Sequence, residues 1–325
     1  MLPVLVTGGA GYIGSHTCKE LHRNGYLPIV YDNLITGHRE FARWGEFVYG
    51  DIRDTQQLRH CMKVYKPQGV IHFAAFAYVG ESVRDPGKYF HNNVQGTLSI
   101  LDAMRDEGIA NIVVSSTCAV YGEPDKMPIS ESCLPAPINP YGASKLFMER
   151  MLADYHTAHG INWIALRYFN AAGCDPDGEI GEWHEPETHL LPRIIGAMLG
   201  EYSCLEVYGN DYPTPDGTCI RDYIHVKDLA VAHILALEYC MQGKGNRSFN
   251  LGTGTGISIH QLIRATEVLS NRTVPFAVKQ RRPGDPAVLV ADPALSMSTL
   301  GWTPRHSDLD TIISTAMHWH SRCST

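Results

Sequence analysis

Short apolar runs alternate with longer amphipathic stretches through the first half of the chain. Residues 2–6 form the first run, and 27–31, 47–49, 70–73 and 112–116 form the next four. Between them, residues 15–24, 57–64 and 89–105 carry their apolar side chains at helical spacing. Strands that read as continuously apolar are buried on both faces, so this rhythm predicts β-α-β units. The expected fold class is α/β: a doubly wound, mostly parallel sheet of the Rossmann type with helices on both sides. In such sheets ligands collect at the carboxyl ends of the strands. Three loops at those ends stand out: Gly50-Asp51-Ile52-Arg53-Asp54, Ala74-Ala75, and Ser115-Ser116-Thr117.

The stretch after the first strand reads Thr7-Gly8-Gly9-Ala10-Gly11-Tyr12-Ile13-Gly14. Glycines at 8, 11 and 14 allow a sharp turn, bring a pyrophosphate close to bare N–H groups, and let the following helix pack on the strand. Three spaced glycines also occur in ordinary strand-to-helix turns. Context decides between the two: the second strand ends in Asp32, where a carboxylate takes the ribose hydroxyls of an adenosine. That carboxylate would repel a 2′-phosphate, so NAD is expected rather than NADP.

A further strand at 162–167 runs into Tyr168-Phe169-Asn170, after which the alternation fails. Residues 173–188 are poor in apolar side chains and mark the start of a second region. Helices are expected at 190–199 and 226–241, a loop at 209–217, and a strand at 248–251 that returns to the first sheet. The cluster Gly252-Thr253-Gly254-Thr255-Gly256 lacks a following Lys-Ser/Thr and reads as a turn into a helix near Ser258, not as a second nucleotide site. The expected division is a dinucleotide-binding Rossmann domain over 1–171, rejoined by about 219–253, and a smaller C-terminal α/β substrate domain from 172–218 and 254–325.

Composition narrows the partners. A net charge of -7 gives no basic footprint for nucleic acid. The nine cysteines form no Cys-x-x-Cys pair, which argues against a zinc framework or a secreted disulfide scaffold. No apolar run approaches the roughly 18 residues of a membrane span, and no leader pattern precedes the first strand. A cytoplasmic protein with a small-molecule substrate is expected. His318 and His320 have no metal-ligand spacing, and no metal is expected.

Tyr141-Gly142-Ala143-Ser144-Lys145 opens a helix after the proline-rich stretch 134–140. A spacing of four puts Tyr141 and Lys145 on one face, so a phenol and an ammonium can share a site. A nearby positive charge favours phenolate, which makes a base near neutrality. A structural tyrosine beside a solvated lysine has the same spacing. The order of motifs is more telling than any one of them: the glycine turn, Asp32, Asp51-Ile52, the hydroxyl-rich strand end at 115–117, then Tyr141 and Lys145.

With that order the chain resembles the extended short-chain dehydrogenase/reductase superfamily, and within it the nucleotide-sugar 4-epimerases, the UDP-glucose 4-epimerase family above all. The segments that carry the likeness include Val30-Tyr31-Asp32-Asn33-Leu34, Val70-Ile71-His72-Phe73-Ala74-Ala75, Asn92-Asn93-Val94 and Arg167-Tyr168-Phe169-Asn170. Gly209-Asn210-Asp211-Tyr212-Pro213-Thr214, Arg221-Asp222-Tyr223-Ile224-His225-Val226 and Arg281-Arg282-Pro283-Gly284-Asp285 continue it. The resemblance implies that Tyr141 is the base at the sugar 4-hydroxyl, that Lys145 bonds the nicotinamide ribose and lowers the phenol's pKa, and that Thr117 holds the same hydroxyl in line. It implies cofactor contacts from Gly8, Gly11, Tyr12, Ile13, Gly14, Asp32, Asn33, Asp51, Ile52, Phe73, Ala74, Asn92 and Phe169, besides Tyr141 and Lys145. It implies nucleotide-sugar contacts from Asn170, Leu190, Tyr208, Arg221, Arg282 and Asp285, where guanidinium forks fit phosphate oxygens. Many epimerases carry a lysine where this chain has Ala77, so one phosphate contact is missing.

Related dehydratases place Asp-Glu after the catalytic Thr, and this chain has Cys118-Ala119, while the decarboxylases' glutamate is also absent. Without that extra acid and base, hydride removal and return is the remaining chemistry, and the resemblance implies interconversion of UDP-galactose and UDP-glucose through a 4-keto sugar. Residues 116–124 and 76–82 also resemble UDP-arabinose (UDP-xylose) 4-epimerases, which leaves a pentose substrate open. A non-catalytic NAD sensor is the alternative of another class, and the intact Thr117, Tyr141 and Lys145 speak against it. Leu289 falls where the family excludes N-acetylated sugars with a bulky side chain. The resemblance further implies a homodimer joined through helices around 86–107 and 141–159.

Overall fold

The computed structural model describes residues 1–282 and 284–323; Pro283, the side chain of Cys323, Ser324 and Thr325 lie outside the described residues. The strands that the apolar runs predict are β1 (Leu2–Thr7), β2 (Tyr26–Asp32), β3 (Glu46–Tyr49), β4 (Val70–His72), β5 (Asn111–Thr117) and β6 (Asn162–Tyr168). A seventh strand, Arg247–Leu251, pairs in parallel with β6, so the late apolar run does return to the first sheet. The spatial order is Arg247–Leu251, then β6, β5, β4, β1, β2 and β3. Sequence order reverses between β1 and β4, whose ends meet at Thr7 and His72. That reversal opens a crevice at the carboxyl edge of the sheet, the place where this architecture binds ligands.

Strand alternation sorts the core into two faces. Val4, Val6, Val30, Ile71, Val113 and Ile164 point to one, where helices Tyr12–Arg23 and Val226–Met241 cover them with Cys18, Leu21, Leu229 and Leu237. Leu5, Ile29, Tyr31, Val70, Ile112 and Val114 point to the other, under Leu58, Leu101, Met148 and Leu152 of the helices Thr55–Tyr65, Gly96–Glu107 and Pro140–His159. Neither face is left to water, which is why these strands show no polar alternation.

A third cluster, built by Leu191, Ile194, Leu205, Val207, Leu262 and Ile313, belongs to the second half of the chain. Its small sheets pair Leu205–Tyr208 with Phe276–Lys279, and set Ile220–Arg221 between Ile257–Ser258 and Val288–Leu289. Trp302, within the stretch expected to serve the substrate half, instead packs into the first cluster and donates its indole N–H to the Asp228 carbonyl at 2.9 Å. Among the described residues no helix is long and apolar enough to cross a membrane.

Two elements differ from the sequence expectation. The first helix begins at Tyr12, three residues earlier than its apolar pattern indicates, because Gly11 in extended conformation starts it directly after the turn. The stretch read as one helix over 89–105 is broken into Pro86–Tyr89, a wide π-type turn at Phe90–Gln95 and the helix Gly96–Glu107. Widened turns of this kind re-aim side chains at functional sites, and this one carries Asn92 and Asn93, both buried. Asn93 bonds the Phe76 backbone at 2.9 and 3.0 Å and Ser144 Oγ at 3.1 Å, which ties the turn to the helix of Tyr141.

Candidate active site

The glycine turn forms one wall of a cleft at the sheet's carboxyl edge. Gly8 has φ +71°, and a Cβ there would stand 2.6 Å from the Ala74 nitrogen; a Cβ on Gly14 would stand 2.1 Å from the Gly8 carbonyl oxygen. Only glycine permits this close passage. The helix that follows has no side-chain cap and no acidic residue in its first turn, so its positive end is left to an anion. The donor set and the bare backbone therefore fit a dinucleotide pyrophosphate.

Opposite the turn, Asp32 is 7% exposed, and its carboxylate accepts from Ala10 N at 3.0 Å and Leu34 N at 2.8 Å. Burial pushes its pKa up, while those two N–H groups pull it back. Tyr12, Ile13, Asn33, Ile52, Phe73, Ala74 and Asn92 line the same cleft, with Phe169 at its far end. Tyr12 is pinned by a hydrogen bond from its hydroxyl to the Gly173 carbonyl at 2.5 Å. Asp51 is the expected cofactor residue that faces elsewhere: it borders a shallow groove with Arg53, His91 and Gln95. Arg53 bonds it at 2.7 and 2.9 Å and holds its pKa down to about 2. Asn33, at 3.1 Å from Asp51, connects that groove to the cleft.

Thr117, Tyr141 and Lys145 line the same cleft as the glycines. Helix Pro140–His159 starts with Pro140 in its first turn and Asn139 as a cap that accepts from Gly142 N at 2.9 Å, which fixes where Tyr141 emerges. Thr117 ends β5, and its hydroxyl hydrogen-bonds the Tyr141 side chain. Lys145 is 2% exposed and donates to the Ser115 carbonyl at 2.8 Å. Burial pushes the Lys145 ammonium down to about 7, with Glu149 acting in the opposite sense.

Burial raises Tyr141 above its usual range, Tyr168 adds to the rise, and the bond with Thr117 offsets part of it. Desolvation is the largest of these effects.

A depressed lysine has a sign that can be checked. Between about pH 7 and the unfolded value near 10.4, the unfolded chain binds a proton that the folded one has released, so stability gains with rising pH. Urea melts of the wild type and Lys145→Met should therefore diverge in that window, with the wild type gaining on the variant from pH 7 to pH 9. Parallel curves would show that Lys145 is not desolvated.

Of the residues expected to hold a nucleotide, only Asn170, next to Phe169, is among the described residues that line the cleft. Leu190 begins the helix Leu190–Leu199. Arg282 stacks over the Tyr208 ring at 4.0 Å, and Arg221 pairs with Asp285. Leu289 lies opposite Arg221 in register and packs with Cys118 and Phe169. The second glycine cluster has a structural purpose. Buried Asp222 accepts from Thr253 N at 2.8 Å, Gly254 N at 3.0 Å and Ala291 N at 3.2 Å, and a Cβ on Gly252 would come within 2.6 Å of that carboxylate.

A model of the NAD-dependent epimerase/dehydratase family matches residues 4–252. The chain belongs to that family. A UDP-glucose 4-epimerase of Rhizobium meliloti is 51% identical over 319 residues, covering 98% of this chain and 97% of the relative. Among solved structures, the UDP-glucose 4-epimerase of Brucella ovis in complex with NAD superposes with TM-score 0.96 at 57% identity, covering 98% of each chain. The Stenotrophomonas maltophila UDP-glucose 4-epimerase, solved with NAD and formylated UDP-arabinopyranose, also reaches TM-score 0.96, at 40% identity, covering 100% of this chain and 99% of its own.

This epimerase/dehydratase chain also holds side chains to which the sequence assigned no role. Ser115 and Tyr168 line the cleft, and their hydroxyls bond each other next to Tyr141. Glu182, His184 and His189 form part of the opposite wall. Beneath Lys145, Glu149 is buried against Arg167 at 2.9 and 2.5 Å, and Ser116 donates to the same carboxylate at 2.5 Å. Nothing in local spacing marks that pair, because its members lie 18 residues apart on separate elements.

Proposed function

We propose that this member of the epimerase/dehydratase family is a UDP-glucose 4-epimerase, interconverting UDP-galactose and UDP-glucose with no net redox change. The observation that carries this is the meeting of Thr117, Tyr141 and Lys145 in the cleft that the glycine turn opens, with Cys118-Ala119 where an eliminating enzyme needs acids. Bound NAD supplies the hydride acceptor, and later the donor, at sugar C4, together with the positive charge that favours a phenolate. Tyr141 takes the proton of the 4-hydroxyl through its phenol oxygen and gives it back on the return step. Thr117 holds that hydroxyl in line, and Lys145 fixes the ribose side of the site. Asp32 receives the adenosine ribose, with Gly8, Gly11 and Gly14 at the pyrophosphate. Asn170, Leu190, Tyr208, Arg221, Arg282 and Asp285 hold the UDP group.

The test is incubation of purified protein with UDP-galactose, UDP-glucose, UDP-xylose and UDP-arabinose separately, with products resolved by chromatography. Conversion of the hexose pair supports the reading. Exclusive conversion of the pentose pair replaces it with the pentose epimerase, and NAD-bound protein inert on all four makes it a sensor.

Leu289, which packs against the cluster of Cys118 and Phe169, falls where the family gates N-acetylated sugars, and on this reading its bulk excludes them. UDP-N-acetylgalactosamine should therefore be a poor substrate. Leu289→Ala should raise its kcat/KM relative to UDP-galactose by roughly 10–200-fold, the range that a single apolar contact commands. Equal rates for both sugars in the wild type would remove the gate.

The same reading divides the chain into an NAD half, 1–171 with about 219–253, and a nucleotide-sugar half, 172–218 with 254–325, modified by Trp302, whose packing ties its segment to the NAD half. It also includes a homodimer in the cytoplasm. Leu98 and Phe147 are 39% and 53% exposed on the helices Gly96–Glu107 and Pro140–His159, and Phe90 lies 6.2 Å from the Phe147 ring. That apolar face supports the dimer, and no disulfide among the described cysteines supports a reducing compartment. Light scattering should give twice the chain mass, and Phe147→Glu should halve it.

A further inference from the structure

The cleft wall that faces Tyr12 holds four side chains which neither the glycine turn nor the Tyr141 site explains. Glu182, His184, Glu187 and His189 bring one ligand atom each to within 4.8 Å of all the others. His189 Nδ1 stands 2.7 Å from Glu182 Oε1 and 3.5 Å from Glu187 Oε1, while His184 Nδ1 stands 3.6 Å from Glu182 Oε1 and 3.4 Å from Glu187 Oε2. Glu182 is 3% exposed, yet its Oε1 has no hydrogen-bond partner in acceptable geometry, and neither has the buried His184 Nδ1. Glu182 Oε1 is met at 2.7 Å by the ion contact of His189, outside hydrogen-bond geometry, and His184 Nδ1 by no hydrogen bond, an arrangement that a shared cation completes.

We propose that Glu182, His184, Glu187 and His189 bind one divalent transition-metal ion at the rim of the cleft. The dimensions agree. Four ligands about 2.1 Å from a tetrahedral ion stand about 3.4 Å apart, and the four distances above scatter around that value. Two imidazoles and two carboxylates suit zinc, cobalt, manganese or iron rather than magnesium or calcium, which favour all-oxygen shells. Two carboxylates also balance the ion's charge. Glu187 is already oriented for the task, since its Oε1 accepts from Thr188 N and His189 N, each at 2.8 Å. Its other oxygen, Oε2, is the one turned to His184.

The site would join the stretch 182–189 into one rigid wall next to Tyr12 and Tyr78, whose rings lie 6.2 and 6.3 Å from that of His184. Its role is then to brace the cleft, not to touch the reacting sugar carbon. It is independent of the Glu149–Arg167 pair beneath Lys145.

The experiment uses untagged full-length protein, treated with chelator, exchanged into metal-free buffer and titrated with Zn(II) or Co(II). One equivalent per chain, the visible absorption of four-coordinate Co(II), and a raised melting temperature are expected. His184→Asn and Glu182→Gln should each weaken binding by at least about tenfold and abolish the thermal shift, whereas His159→Asn, on an exposed helix end, should change neither. Circular dichroism of each metal-free variant establishes that it is folded, and His189→Gln replaces any that is not. Failure to retain one equivalent of either metal, or unchanged stoichiometry in the folded Glu182→Gln and His189→Gln variants, overturns the site and leaves a cluster of protonated imidazoles and carboxylates.

Discussion

Tyr141→Phe should lower kcat about 10²–10⁴-fold, the loss typical of removing a positioned general base. The substitution deletes one oxygen and keeps the ring, which packs edge-on against Tyr89 at 6.4 Å, so the helix and the cleft should survive intact. NAD content and UDP affinity should accordingly match the wild type. That combination, chemistry lost and binding kept, is what separates a proton-transfer group from a structural phenol. A Phe variant with more than about a tenth of wild-type turnover would mean that another group takes the proton. The pH profile adds a second handle. Burial holds Tyr141 above the usual phenol range in this structure, so activity should rise with pH until the phenolate forms in the loaded site. Thr117→Val should shift that rise to higher pH, because the Thr117 bond is what pulls the phenol's pKa back.

Arg167→Met should cost about 3–5 kcal/mol of stability, the usual penalty for leaving one member of a buried ion pair uncompensated. The Arg167 and Glu149 side chains are 8% and 6% exposed, and the arginine also donates to Tyr121 at 2.9 Å. Tyr121 in turn donates to Asn250 at 2.7 Å, so the network reaches from helix Pro140–His159 through β6 to the edge strand. The double variant Glu149→Met/Arg167→Met removes both charges and should recover most of the loss. Urea midpoints for the two single variants and the double one measure this directly. A single variant that costs less than about 1 kcal/mol would show that water reaches the pair, which would leave it no stronger than a surface contact.

The parallel sheet was legible because its central strands are short and apolar on both faces. Gly8 and Gly14 could be read because a Cβ at either would strike backbone, so the sequence there is dictated by geometry. Tyr141 and Lys145 were legible through helical spacing. What escaped are groups whose meaning exists only across the fold. Glu149 and Arg167 look like ordinary surface charges until β6 and its neighbouring helix are assembled. Trp302 stands in a stretch without periodicity, and nothing near it in the chain says which core it fills. The break at Phe90–Gln95 was invisible because one residue of extra winding barely alters an apolar pattern over so short a span. The run Glu182-Trp183-His184 to His189 was read only as part of the apolar-poor start of a second region, since its members follow no established ligand spacing.

The seating of Arg247–Leu251 at the edge of the first sheet, with Trp302 planted later in the same core, means that the polypeptide shuttles repeatedly between the two halves proposed above. No solitary tether joins them, so neither half can be severed and remain whole: a fragment ending before the edge strand would bare the flank of β6. The proposed grip on the sugar nucleotide and custody of the cofactor should thus be lost together on unfolding.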